Sequence, residues 1–273
     1  MGLFKRVFDF YLDASIHVAF SVLCLYLTTL QLLETSTNCY LAGFLFFGTI
    51  VCYNFIKYGV EAEKYVIVSN PYHRIIQVFS FLCFVAVVYF FLKLDVSLWS
   101  SIFLLTALSG LYAVPFLGKH KSLRNLGGLK VYLVALVWAG CTVYLPTKDA
   151  NLYLTNDFII LLLQQFLLVL LLLLPFEIRD MRFDAPDLRT LPQRLGIERT
   201  KKLGYCLVVL FLLLLFFKDD LTAIEIRYRL LLSLLVIMAL FLSKKERTKY
   251  YTLFWVESIP IILYFLVWKT GAF

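Results

Sequence analysis

Charge is scarce in this chain. Asp, Glu, Lys and Arg make up 16% of its 273 residues, against about 25% in an ordinary soluble domain. The three histidines, His17, His73 and His120, are dispersed without ligand spacing, which leaves no basis for a histidine metal centre. The six cysteines form no CxxC pair and fall mostly inside apolar runs, so neither a disulfide framework nor a zinc site is indicated. Nucleic-acid-binding motifs are absent, and with them any reason to expect a nucleic-acid partner. Lys5 and Arg6 precede the first apolar run, but no small-residue cleavage pattern follows it, so the run reads as retained and not as a signal peptide. Arg6 also stands where a myristoylation pattern needs Ser or Thr.

Apolar side chains fill the space that charge leaves. The composition is 62% hydrophobic and 17% aromatic, with a mean hydropathy of +0.84. Mainly apolar runs of roughly membrane-crossing length recur along the chain. Nine spans are expected, at 11–33, 41–57, 75–93, 97–116, 128–146, 157–176, 203–217, 228–243 and 251–268. No segment remains for a soluble domain, so residues 1–273 read as one all-α, polytopic membrane domain.

The basic residues orient it. With the N-terminus in the cytoplasm and nine alternating spans, 20 of the 26 Lys and Arg fall on the cytoplasmic side. Such a bias across short loops follows the positive-inside rule and accounts for the net charge of +8. The C-terminus then lies on the opposite side. The plain basic N-terminus and short loops favour a bacterial plasma membrane. Two cytoplasmic loops are long, about 58–74 and 177–202, and long loops in compact folds are usually functional or disordered.

The second of these loops holds the densest chemistry, PFEIRDMRFDAPDLRTLPQRLG from Pro175 to Gly196. Glu177, Asp180 and Asp184 stand at i, i+3 and i+7, on one face if the preceding helix continues. Two like charges about 4 Å apart repel by roughly 4 kcal/mol at an effective dielectric near 20. A divalent cation with its phosphates, or arginines such as Arg179 and Arg182, could compensate them; a solvated loop is the plainer alternative. Asn54, Lys57 and Glu61 repeat the spacing at the end of the second span. The echo predicts two related four-helix bundles plus one helix around a central cavity, with the polar faces converging at the interface of the halves.

These motifs resemble the UbiA superfamily of intramembrane prenyltransferases over essentially the whole chain. EIRDMRFD followed by DLRTLPQRLG is similar to the family's second acidic motif and its TLPxxxG tail. The expected nine helices and the Tyr112–Lys130 segment fit the same pattern. The first motif departs from it: Asn54 matches the family's asparagine, Glu61 stands for the last acid, and Lys57 replaces an aspartate. The resemblance implies a Mg²⁺-dependent transfer of an isoprenoid chain from a prenyl diphosphate to an aromatic or other lipophilic acceptor in the bilayer. It implies metal ligation by Asn54, Glu61, Glu177, Asp180 and Asp184. Diphosphate contacts would come from Asn54, Lys119, Lys121 and Arg124, and a direct phosphate contact from Lys57 as a point charge.

Several of these residues keep a second reading. Tyr112 is either an acceptor-pocket residue or part of an interfacial aromatic belt. Lys119, Lys121 and Arg124 are either phosphate ligands or ordinary positive-inside residues. Gln164 and Gln165 suit interhelical hydrogen bonding. Glu257, an acid inside the last span, needs a partner or a polar cavity. Besides an active enzyme, a catalytically altered or inactive UbiA-like membrane protein and a transporter remain as alternatives. No protein partner is evident.

Overall fold

The structure, a computed structural model, describes residues 2–58, 70–113, 128–152, 155–185, 188–219 and 221–269, apart from the side chains of 112–113 and 267–269. It is helical, with no strand among the described residues. The helices are α1 Leu3–Asp13, α2 Ile16–Leu32, α3 Cys39–Tyr58, α4 Pro71–Leu92 and α5 Val96–Ala113. They continue with α6 Leu129–Asp149, α7 Asn156–Asp180, the short α8 Leu191–Leu195 and α9 Ile197–Phe217. The last two are α10 Ala223–Leu242 and α11 Ser258–Lys269, the latter entered through a π turn at Tyr251–Val256.

Five of these helices, α3, α4, α6, α7 and α9, are long and apolar enough to cross a membrane. A sixth span is gained if α1 and α2, bent by 54° at their junction, count as one. Among the described residues, the nine apolar runs fall largely on helices. For Val96–Leu111, Tyr251–Leu266 and α10, however, length or charge leaves membrane crossing as a proposal.

Packing follows chain order and then closes on itself. From α2 to α4 and from α5 to α7 successive helices pack together, α7 packs against α9 and α10, and α11 returns to pack against α2. The largest core joins α2 to α6, α7, α9, α10 and α11, and a second joins α2 to α3, α5 and α6, so α2 belongs to both. The most enclosed helix is α7, with 72% of its most apolar window buried against 11% for α4. A bilayer explains the contrast: lipid is as apolar as Leu, so α4 can leave Phe81, Leu82, Phe84 and Val85 uncovered.

Local chemistry sets the breaks. Thr155 caps α7 by accepting the Phe158 N–H at 3.1 Å. Ser15 occupies the left-handed region at φ 61° and makes the elbow between α1 and α2. Gly196, at φ 80°, turns the chain from α8 into α9, a conformation for which glycine is favoured.

Candidate functional site at one end of the bundle

The last turn of α7 delivers the second acidic set. The turn continues past Asp180, since the Asp184 N–H donates to the Asp180 carbonyl at 2.9 Å. Glu177 is 5% exposed and lies against the first turn of α6, where its Oε1 is 2.8 Å from Lys130 Nζ. The same ammonium is 3.5 Å from Asp184 Oδ2. Arg179 pairs with Asp180 at 2.6 Å and also bonds Thr252 in the π turn before α11. Arginine and lysine thus answer part of the repulsion within the acidic row. Glu177 Oε2 is nonetheless buried without a hydrogen-bond partner among the described residues.

The tail of this motif is a brace. Thr190 stands before α8, and its N–H donates to Gln193 Oε1 at 2.9 Å. The Gln193 amide donates in turn to the carbonyls of Asp184 and Ala185 at 3.3 and 3.1 Å. Pro192 suits the first turn of a helix, where no intrahelical N–H is needed. TLPQRLG therefore holds the acidic turn in place without carrying reactive groups of its own.

The first polar set is used differently. Asn54, 3% exposed, accepts from Ser15 Oγ at 2.8 Å and donates to the Ala14 carbonyl at 3.1 Å and to Ser80 Oγ at 2.9 Å. Lys57 Nζ donates to the same Ser15 Oγ at 2.9 Å. One lone pair of the oxygen expected to ligate metal is thereby engaged by the α1–α2 elbow. An amide with three buried partners is a packing device. Lys57 keeps further donors, and its charged neighbours include Glu257 and Asp13.

Both sets sit at the same end of the bundle. Asp13, beside the elbow, is 3.0 Å from Lys249, two residues before the π turn whose Thr252 meets Arg179. Glu257, at the end of that turn, has Lys57 and Arg179 as charged neighbours. His17 donates to or accepts from Tyr11 and Ser258, and contacts the Phe254 carbonyl at 3.1 Å. Outside the apolar helices, the Asp9 carboxyl is held below its ordinary range, mainly by the Tyr250 hydroxyl and also by Lys249. Burial opposes the Lys249 charge, but Asp13 and Asp9 outweigh it and raise the ammonium pKa.

Magnesium can be tested against these donors. No three His, Cys, Asp or Glu among the described residues form a metal cage. Mg²⁺ commonly takes only one or two carboxylates and completes its octahedron with phosphate oxygens and water. Asp180 and Asp184, each with an oxygen outside the ion pairs above, and the unpartnered Glu177 Oε2 fit that limited role. Asn54 Oδ1 already accepts from Ser15 and keeps one lone pair for a further contact.

Of the other expected site residues, Glu61, Lys119, Lys121 and Arg124 lie outside the described residues, as does the side chain of Tyr112 in the last turns of α5. Lys130 and Ser15 were not singled out by motif. Lys130 stands near the start of the fifth apolar run, and a cation at the mouth of such a run is the signal that could have found it. Gln165 reaches Thr142 Oγ1 at 3.0 Å and Gln164 reaches the Phe211 carbonyl at 3.2 Å, both interhelical as expected.

No protein-family profile and no curated protein sequence matches the chain. Its fold is similar to the solved structure of a digeranylgeranylglyceryl phosphate synthase in membranes. The TM-score is 0.56 at 14% identity, over 98% of this chain and 99% of that one. At that identity the likeness is one of fold.

Proposed function

We propose that this protein is an intramembrane prenyltransferase, moving an isoprenoid chain from a prenyl diphosphate to a lipophilic acceptor. The observation that carries the proposal is the row Glu177, Asp180 and Asp184 with its partners Lys130 and Arg179, at the end of apolar helices that also holds Lys57 and Glu257. The likeness of fold to a membrane synthase supports the same class.

In this reaction the carbon–oxygen bond to the diphosphate breaks and the diphosphate leaves with the bonding pair. The prenyl carbon then bonds to the acceptor, which gives up a proton. Lys57, Lys130 and Arg179 stand ready to meet the growing negative charge on the leaving group, preorganised by their own partners. Glu257 is a charged neighbour of both Lys57 and Arg179. Mg²⁺, when held by Asp180 and Asp184, would neutralise further phosphate charge. Tyr53 and Trp138, joined by a 3.0 Å hydrogen bond one residue along from Asn54, offer aromatic surface to an allylic cation.

The test is turnover of a prenyl diphosphate by purified protein in lipid nanodiscs, with extracted lipids searched by mass spectrometry for a prenylated product. Asp184→Ala should lower turnover by about 100- to 1000-fold, the scale of losing one preorganised electrostatic group. Unchanged turnover in that variant removes the proposal. The use of Asn54 and Lys57 in the elbow favours one second reading, a catalytically altered member of the same fold. Wild-type protein would then release no pyrophosphate from any prenyl diphosphate offered.

A further inference from the structure

A second concentration of charge lies away from the acidic row. Between the start of α9 and the loop after α10, the surface forms a cleft of about 710 Å³. Arg199, Lys201, Lys244 and Lys245 line it against Glu198 and Glu246, leaving two positive charges in excess. Lys201 is anchored on the Phe241 carbonyl at 3.1 Å. Arg199, Lys244 and Lys245 are exposed, and none is in an ion pair among the described residues. Clustered like charges without partners repel one another unless an anion joins them. The first turn of α9 adds N–H groups and the positive end of a helix dipole to the same wall.

What adjoins the cleft decides the class of anion. Leu195 on its rim is 39% exposed, and Phe241 and Leu242, immediately before Ser243, are 68% and 39% exposed. Leu234 and Met238 continue this uncovered apolar surface down α10. A free phosphate would use the cations and ignore the strip. A phospholipid uses both, and basic pockets between helices at the cytoplasmic boundary suit anionic headgroups.

We propose that this cleft binds the headgroup of an anionic phospholipid, with the acyl chains lying along the exposed face of α10. None of Glu177, Asp180 and Asp184 lines the cleft, though Leu195 and Gly196 at its rim end the segment that braces them, and the proposal does not depend on prenyl transfer. The experiment is native mass spectrometry of the protein released from nanodiscs holding equal amounts of phosphatidylglycerol and phosphatidylcholine.

Wild-type protein should retain phosphatidylglycerol in preference to phosphatidylcholine. The double variant Lys244→Gln, Lys245→Gln should lose that preference by roughly tenfold, since each basic residue near an anionic surface contributes a few-fold. Lys93→Gln, an exposed lysine outside the cleft, should keep it. Inorganic phosphate at millimolar concentration should not displace the lipid. The proposal is overturned if the double variant retains phosphatidylglycerol like the wild type, if Lys93→Gln loses it equally, or if phosphate competes it away. Circular dichroism melting of each variant separates lost binding from lost fold, and both lysines lie on the surface, where substitution leaves packing intact.

Discussion

The ends of α3 and α7 carry polar residues at the same spacing and put them to opposite uses. On α3, Asn54 is enclosed by Ser15, Ala14 and Ser80, and Lys57 joins it at the elbow. On α7, Asp180 and Asp184 stay 32% and 18% exposed at their side chains, and a buried oxygen of Glu177 has no partner among the described residues. Spacing put each set on one helix face. What separates the two sets is how many of their polar atoms the protein's own groups already engage.

The sharpest way to break the comparison is through Lys130. Lys130→Met leaves Glu177 buried with an uncompensated charge, and should cost about 3–5 kcal/mol in an unfolding titration. The double variant Lys130→Met, Glu177→Leu should recover most of that loss, because an apolar pair of similar size can replace a buried ion pair. A Lys130→Met protein as stable as the wild type would mean that the acidic row needs no internal cation.

A smaller effect is expected on the other side. Asn54→Ala strands the Ser15 hydroxyl and the Ala14 carbonyl, at about 1–3 kcal/mol for a buried group left unsatisfied. The melting temperature in detergent reads this directly, and no change would mean that water substitutes for the amide.

The smallest effect concerns how α1 is held. Because the Asp9 pKa is lowered on folding, its contribution is full above the ordinary carboxylate value and fades as pH falls through the lowered one. The Lys249 pKa is raised, so its contribution is full below the ordinary lysine value and fades as pH rises through the higher one. A spin label at exposed Val7 should therefore report constant mobility between about pH 5 and 9 and loosening beyond either limit. Loosening inside that window would detach the elbow from this clamp.

Much of this arrangement was legible in the sequence, for physical reasons. Apolar runs mark helices in a bilayer because backbone groups there must bond within their own segment. The acidic row was legible because Glu177, Asp180 and Asp184 follow an apolar run at helical spacing, whereas the bracing bonds of Thr190 and Gln193 were not, since the tail reads only as a motif. The use of Asn54 was not legible. Its partners Ser15 and Ser80 lie 39 and 26 residues away, and no local pattern announces a bond of that range. The basic cleft was hidden for a similar reason, since Arg199 and Lys244 are joined only by the packing of α9 on α10. Loop basicity by itself reads as orientation.

The central claim is that the acidic row of α7 performs the proposed chemistry while Asn54 of α3 holds the fold. It is tested most directly by measuring pyrophosphate release per folded molecule for Asp180→Ala and Asn54→Ala side by side. The account predicts that Asp180→Ala melts like the wild type and loses turnover, whereas Asn54→Ala melts earlier and keeps it. The reverse pattern, with turnover lost in a fully stable Asn54→Ala protein and kept in Asp180→Ala, would contradict it.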